Sequence, residues 1–252
     1  MDDYYETSLK QNMLNAIGSI RSDVEVSGYS VWRSEESLNL IENSRKQYLK
    51  LFKSLPLHPQ TEKFKPDNLE TNPWRKLCVG ASNGIGDPYA QFLTTTYLND
   101  SNINYGALSS LFDLMIVMRN TLTGMPVEFG KDSESCGYWN ACRIHHYPRG
   151  GGFMSEHRDT HFPSVLDKDG IPFLQVMACL SKPNEHFDEG GGFIRSKKGS
   201  KVPLDNTESY GSFVFFDGAM RHGVDTVDAH IIPDFLSPLG RVAAFSNLYE
   251  IL

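Results

Sequence analysis

The 252-residue sequence contains neither a long apolar run nor the cysteine spacing of a disulfide-rich or zinc-knuckle protein. Its longest apolar stretch, residues 111–118, is interrupted by Asp113 and falls far short of the about 20 residues that a membrane-spanning helix needs. The first residues are acidic, without the basic start and apolar stretch of a secretory signal. The four cysteines are widely spread, which predicts free thiols in a reducing, cytoplasmic environment.

Basic residues are also in short supply. The sequence has 24 Lys and Arg against 31 Asp and Glu, which gives a formal net charge of −7. Nucleic acids and anionic membranes attract clustered Lys and Arg side chains, so this balance argues against both as partners. With 40% apolar residues, the composition is that of an ordinary globular chain able to bury a core.

Helical patterns dominate the first half of the sequence. Apolar side chains follow the helical period over residues 38–52 and again over residues 105–122, where glycine and proline end the pattern. Residues 56–87, between these two patterns, are rich in proline, asparagine and lysine and are predicted to be mainly loop.

After residue 135 the patterns become short and strand-like. Segments rich in valine, isoleucine, phenylalanine and tyrosine cover residues 139–147, 172–180, 212–216 and 242–249. Short strands joined by glycine-rich turns, without helical patterns between them, predict an antiparallel barrel or jelly roll. The fold we predict is a β-rich α+β protein, with a double-stranded β-helix (jelly-roll) core at residues 136–252. A mainly helical region, residues 1–135, is expected to pack on this core as part of the same globule.

Three side chains in the strand-rich region have the character of a metal site. Alternate residues of a strand share a face, so His157 and Asp159 are expected to project together. His222 directly follows a very apolar strand and is the best candidate for a third ligand. Two imidazoles and one carboxylate on one face of a metal form the facial triad of non-haem Fe(II) sites, which use oxygen chemistry. His161 continues the same strand phase, so a zinc-like site of three histidines is the alternative.

A basic side chain at the start of the last apolar strand needs a partner. Arg241 directly precedes the apolar residues 242–249. A guanidinium does not lose its charge on burial and is costly inside a protein unless it is paired. A bound carboxylate would make a bidentate pair with it.

The ordered set of these elements resembles the Fe(II)/2-oxoglutarate-dependent oxygenase superfamily and is most similar to its prolyl-4-hydroxylase-like branch. The resemblance covers about residues 138–249. Its elements are, in order, Tyr147, the glycine run at 150–152, His157-x-Asp159, Glu189-Gly190-Gly191-Gly192-Phe193, the apolar strand 212–216, His222 and Arg241.

The resemblance implies a role for each of these polar residues. His157, Asp159 and His222 would bind Fe(II), Arg241 would pair with the distal carboxylate of 2-oxoglutarate, and Tyr147 would hydrogen-bond the same carboxylate. The interval from His222 to Arg241 is longer than is usual in the family. An insertion at residues 228–238 would account for it and is expected to fold over the site as a lid. If the insertion does not explain the long interval, Arg221 or Arg143 would be the partner of 2-oxoglutarate.

The implied activity is that of a 2-oxoglutarate-dependent dioxygenase. Such an enzyme uses O₂ to oxidise an unactivated C–H bond and releases succinate and CO₂. Asp159 fills the position that halogenases of the superfamily leave to chloride, so the resemblance implies a hydroxylase and not a halogenase. Since the sequence carries no appended recognition module, we expect a small substrate, such as an amino acid or a natural-product intermediate. The alternatives are a hydroxylase of protein side chains and a non-catalytic or zinc-binding cupin-like module.

Overall fold

The computed structural model describes residues 2–59, 73–82, 87–99, 103–159, 169–206 and 209–251. The helices in these residues are α1 (Asp2–Asn15), α2 (Ile17–Ser27), α3 (Glu35–Ser54), α4 (Ala107–Thr123) and α5 (Ser133–Cys136). The strands of the N-terminal half are β1 (Tyr29–Arg33), β2 (Leu57–Pro59), β3 (Arg75–Ser82) and β4 (Tyr89–Tyr97). Those of the C-terminal half are β5 (Tyr138–Pro148), β6 (Gly152–His157), β7 (Leu174–Cys179), β8 (Gly191–Arg195), β9 (Lys201–Pro203), β10 (Ser212–Asp217), β11 (His222–Val227) and β12 (Gly240–Glu250).

The two predicted helices are confirmed as α3 and α4, and local signals explain where they begin and end. At the start of α3, the side chains of Ser34 and Ser37 each accept a hydrogen bond from the other residue's backbone N–H, which is a capping box. Helix α4 ends at Gly124, whose left-handed backbone (φ 75°) lets its N–H close the last turn. The predicted strands of the C-terminal half are confirmed as well.

The expectation for residues 56–87 is wrong in part. Residues 75–82 form β3, which pairs along its length with β4 in antiparallel register. On its other side, β3 pairs with the short strand β2 only through residues 75–77, so the rest of that side has no strand neighbour among the described residues and charged residues are tolerated there. Its lysine and glycine content therefore hid the strand pattern from the sequence.

The strands of the described residues form one twelve-stranded sheet. Its order is β1-β10-β7-β12-β5-β4-β6-β11-β8-β9, with β3 on the side of β4 and β2 beside β3. Strand β4 pairs through Thr94–Tyr97 with β5 and through Gln91–Phe92 with β6, so the sheet folds over at this strand. Across the fold, Arg241 of β12 lies against Gly192 of β8, which shows that the two halves face each other. The predicted jelly roll is confirmed.

The alternation of side chains along β12 separates two different environments. Val242 and Ala244 belong to a core cluster shared with the helices, and this cluster also contains Ile144 of β5. Ala243 faces the other way, toward the space between the two halves of the sheet. The pleat of the strand therefore points odd-numbered residues of β12 into the interior of the jelly roll. No helix in the described part of the chain is both long and apolar enough to span a bilayer.

Candidate metal centre

The structure brings the three predicted metal ligands together at one end of the jelly-roll interior. His157 is the last residue of β6 and His222 the first of β11, and the two are direct partners in the antiparallel register. Their ring centroids are 4.5 Å apart. Asp159 follows β6 by two residues, and the three possible ligand atoms all lie within 4.8 Å of one another. The three side chains thus converge on one point, two from paired strands and Asp159 from just beyond the end of β6.

Backbone hydrogen bonds orient both imidazoles toward that point. The Nδ1 atom of His157 lies 2.9 Å from the carbonyl oxygen of Ser155, and Nδ1 of His222 lies 2.8 Å from that of Met220. A carbonyl oxygen can only accept a hydrogen bond, so each Nδ1 is the donor and Nε2 is the ring nitrogen left for a metal ion. The Nε2 atoms lie 3.5 Å and 3.7 Å from the two carboxylate oxygens of Asp159. This arrangement of outer hydrogen bonds is typical of metal-binding histidines.

Two buried amides hold the carboxylate from behind. Gln175 of β7 donates a hydrogen bond from Nε2 to Oδ2 of Asp159. Asn247 of β12 in turn donates to the side-chain oxygen of Gln175 at 3.3 Å. Both amides are buried, and they fix the carboxylate relative to β7 and β12. Neither residue was expected from the sequence, although each is a polar residue inside a strongly apolar strand.

The protonation states suit metal binding. Burial raises the pKa of the Asp159 carboxyl, but its contacts with His157 and His222 and the charge of Arg143 lower the pKa more, to well below its usual value. Burial lowers the pKa of His222, and the charge of Asp159 offsets this only in part. At neutral pH the site therefore presents a carboxylate and a neutral imidazole at these two positions, which are the forms that bind metal ions.

Arg241 enters the same interior at a deeper level and has an internal partner. Its guanidinium is buried and forms an ion pair, through Nε, with the buried carboxylate of Asp205. The backbone N–H of Gly192 donates to the same carboxylate. The guanidinium also lies 5.2 Å from the ring centre of Tyr147. Its Nη1 atom is buried without a hydrogen-bond partner among the described residues. Asp205 was not expected from the sequence, because it lies in a loop with no strand or motif signal.

Of the two alternative arginines, only one faces the interior. Arg221 is half exposed and lies 3.8 Å from the carboxylate of Glu156. Arg143 is on β5, where it shares a face with His145 and Tyr147, and its charge acts on Asp159. His161, the basis of the three-histidine alternative, lies outside the described residues.

The segment expected to act as a lid lies at the wrong end of the molecule. The backbone N–H of Gly150 donates to the carbonyl of Asp228 at 3.1 Å, and residues 231–233 pack against Gly150. This turn precedes β6, whereas His157 ends that strand. Six residues of strand span about 20 Å, so the segment does not cover the metal ligands.

Comparison with known proteins finds structural neighbours. The fold is similar to that of a prolyl-4-hydroxylase from Pseudomonas putida, with a TM-score of 0.55 and 12% identity over 93% of this chain and 99% of that one. It is also similar to a prolyl hydroxylase from Trichoplax adhaerens, in complex with a fragment of hypoxia-inducible factor. That likeness has a TM-score of 0.56 and 13% identity over 95% of this chain and 91% of the other.

At such low identity these likenesses concern the fold alone. No protein-family model matches the sequence, and no curated protein matches it either. The resemblance to the 2-oxoglutarate-dependent oxygenases, and to their prolyl-4-hydroxylase-like branch, is thus confirmed at the level of the fold.

Proposed function

We propose that this protein is a non-haem Fe(II)/2-oxoglutarate-dependent oxygenase that hydroxylates, or otherwise oxidises, a C–H bond of a small molecule. The observation that carries the proposal is the convergence of His157, Asp159 and His222 inside a jelly roll, with Nδ1 of both imidazoles occupied by backbone carbonyls and Nε2 left for a metal ion. The prolyl hydroxylases among the structural neighbours support the same class.

The donor set fits ferrous iron. Two imidazoles and one hard carboxylate suit Fe(II), and none of the three ligands is a thiolate. Because the three donors come from one side, positions on the other side stay available for small ligands. The amide chain from Asn247 through Gln175 would hold the carboxylate in place as a ligand.

The deeper part of the interior fits one carboxylate of 2-oxoglutarate. The buried Nη1 of Arg241 lacks an acceptor, and a carboxylate would supply one. The ring of Tyr147 lies beside the guanidinium, so its hydroxyl is a second candidate donor, as the resemblance implies. Asp205 holds the guanidinium through Nε and thereby presets the direction of Nη1.

When bound, the iron and 2-oxoglutarate supply the oxidising power, since O₂ converts 2-oxoglutarate to succinate and CO₂ while one oxygen atom enters the substrate. The residues of the chain position these groups and keep water away from them. The ring of Tyr89 lies 4.4 Å from that of His157, and the ring of Phe216 lies 5.3 Å from that of His222. These aromatic rings shield both imidazoles from solvent.

The test begins without a substrate. Protein loaded with Fe(II) in the absence of oxygen is titrated with 2-oxoglutarate, and binding is followed by calorimetry and by the visible charge-transfer absorption of the complex. We expect one iron per chain and saturable binding. A folded, iron-loaded protein that does not bind 2-oxoglutarate would instead support a non-catalytic jelly-roll module.

Substrate class is tested next, by succinate formation in a panel of amino acids, natural-product intermediates and proline-containing peptides. We expect stimulation by small molecules, and stimulation by peptides alone would identify a protein hydroxylase.

We also place the enzyme in a reducing compartment, the cytoplasm, since all four cysteines are free thiols.

A further inference from the structure

The interior holds a second arginine near the metal ligands, and its charge is not balanced by an ion pair. Arg143 of β5 is partly buried, and no described carboxylate lies within ion-pair distance, 4 Å, of its guanidinium. Its Nε atom is buried and has no hydrogen-bond partner among the described residues. By contrast, the charge of Arg241 is balanced by its ion pair with Asp205.

Neutral groups hold Arg143 in position without neutralising it. Its guanidinium donates to the hydroxyl of Tyr249, and the hydroxyl of Tyr97 is a second partner. Both tyrosines pack against Trp139, with ring centroids 5.2 Å and 6.1 Å from the indole. Hydroxyls can accept hydrogen bonds but carry no charge. They therefore hold the guanidinium in a fixed orientation without neutralising it.

The register of the sheet places the two arginines at different depths. On β5 and β12, Arg241 is opposite Tyr147, while Arg143 is opposite Phe245, four residues further along β12. Four residues of strand span about 13 Å. Arg143 therefore enters the interior near the level of Gln175, whose amide holds Asp159, and its charge acts on that carboxylate.

The local environment of Arg143 points to an additional ligand. In the proposed function the second carboxylate of 2-oxoglutarate binds at Arg241, about 13 Å of strand away from the level of Arg143. The buried Nε of Arg143 lacks an acceptor in a partly desolvated space, which is costly unless a ligand supplies one.

We propose that Arg143, held by Tyr97 and Tyr249, binds a carboxylate group of the prime substrate beside the metal ligands. This inference rests on the proposed function, and it narrows the substrate to a small molecule that carries a carboxylate. Arg143 thereby fixes the anionic end of the substrate and leaves the C–H bond to be oxidised near the metal.

The test uses acetate as the minimal carboxylate, so it does not depend on knowing the substrate. The protein is loaded with paramagnetic Mn(II), which does not drive the reaction, and saturated with 2-oxoglutarate. Relaxation of the acetate methyl protons then reports whether acetate binds close to the metal. We expect a saturable enhancement in the millimolar range, which is the affinity that one or two charge-assisted hydrogen bonds provide.

Three variants and their control assign this binding to Arg143. Arg143→Gln is expected to weaken acetate binding about tenfold or more, because a charge-assisted bidentate contact is lost. Arg143→Lys keeps the charge without the planar fork and should give an intermediate value. Arg241→Gln should leave acetate binding in place but weaken 2-oxoglutarate binding. Arg221→Gln, the same change at a half-exposed neighbour of the site, should alter neither. Circular dichroism verifies that each variant is folded.

The outcomes separate the inference from the proposed function. If wild-type protein binds Mn(II) but not 2-oxoglutarate, the proposed function fails. If 2-oxoglutarate binds while acetate gives no saturable effect, or if Arg143→Gln and Arg143→Lys both bind acetate as wild type does, the inference is overturned. Loss of 2-oxoglutarate binding in Arg143→Gln would assign Arg143 to the co-substrate and would also overturn it.

Discussion

The two faces of the paired strands β5 and β12 differ sharply, although they alternate residue by residue. On the outward face, Ile144, Val242 and Ala244 are completely buried among apolar side chains of the helices. On the inward face, Arg143 and Arg241 point into the space that also receives the candidate metal ligands. One face can therefore be expected to set the stability of the molecule and the other its chemistry, and single substitutions can test that separation.

The polar face is held together differently from the apolar face. Apolar contacts of the outward face are additive and non-directional, whereas each buried polar group of the inward face needs a specific partner. The structure provides most of these partners internally, as in the pairs of Arg241 with Asp205 and of Gln175 with Asp159. Buried atoms of this face that lack a partner among the described residues include Nη1 of Arg241 and Nε of Arg143, and also Oδ1 of Asp205 and of Asn247. The two arginine donors are the ones that an anionic ligand can satisfy.

The largest expected effect is at the metal ligands. We predict that His157→Ala or His222→Ala abolishes iron retention and turnover without unfolding the protein, because two remaining ligands hold a weakly binding divalent ion too loosely. Iron content per chain and thermal unfolding are the measurements. His230→Ala is the matched control, since this histidine is exposed and lies near Glu189 on the surface. A ligand variant with wild-type iron content would remove that residue from the site.

The second prediction concerns Arg241 and separates binding from stability. Arg241→Ala should weaken 2-oxoglutarate binding by about 2–5 kcal/mol, as a buried charge partner is lost. It should also destabilise the fold by about 3–5 kcal/mol, because it leaves the carboxylate of Asp205 buried and unpaired.

The double variant Arg241→Met with Asp205→Asn, which keeps an acceptor for the N–H of Gly192, distinguishes these two effects. It removes both charges, so we expect stability to recover while 2-oxoglutarate binding stays weak. Calorimetric titration and urea unfolding give the two quantities. Normal 2-oxoglutarate binding in the double variant would contradict the role assigned to Arg241.

The third prediction lies on the apolar face. Ile144 is completely buried between the sheet and the helices, so Ile144→Ala should cost about 2–5 kcal/mol in the free energy of unfolding. Metal affinity in the folded protein should not change, because the side chain points away from the interior. The comparison of the two faces would fail if this variant bound the metal much more weakly while remaining folded.

Local patterns in the sequence were enough for part of this picture. The helices α3 and α4 and the pairing of His157 with Asp159 depend on residue spacing along one segment, and these were predictable. His222 was selected from its position after an apolar strand, and the order of elements in a known family agreed with that choice. The expectation that residues 228–238 form a lid was wrong, and the position of these residues after β11 explains why. His222 begins that strand, so the segment after Val227 must emerge about 20 Å away, at its other end.

Other parts of the site could not have been predicted in this way. Asp205 acts through a partner on a distant strand, and its neighbours in the sequence carry no sign of it. Gln175 stands out as a polar residue in an apolar strand, but the sequence does not show that its partner is Asp159. Strand β3 was missed because its identity as a strand depends on β4, with which it pairs, more than on its own composition. Pairing across the sheet is a long-range property, and the sequence expresses it only weakly.

The smallest expected effect is the sharpest test of the inward face, because it touches neither metal nor co-substrate directly. Gln175 donates to the carboxylate of Asp159 and accepts from Asn247. Gln175→Leu keeps the approximate volume but removes the donor, so the carboxylate is free to turn away from the imidazoles. Loss of such an outer hydrogen bond typically costs about 10–100-fold in metal affinity. We expect this loss for Mn(II), measured by competition with a chelating dye. Gln47→Leu, on helix α3 and away from the interior, is the control that should bind Mn(II) normally. Equal affinities in the two variants would show that the amides on β7 and β12 serve only packing, and that the carboxylate is positioned by its own loop.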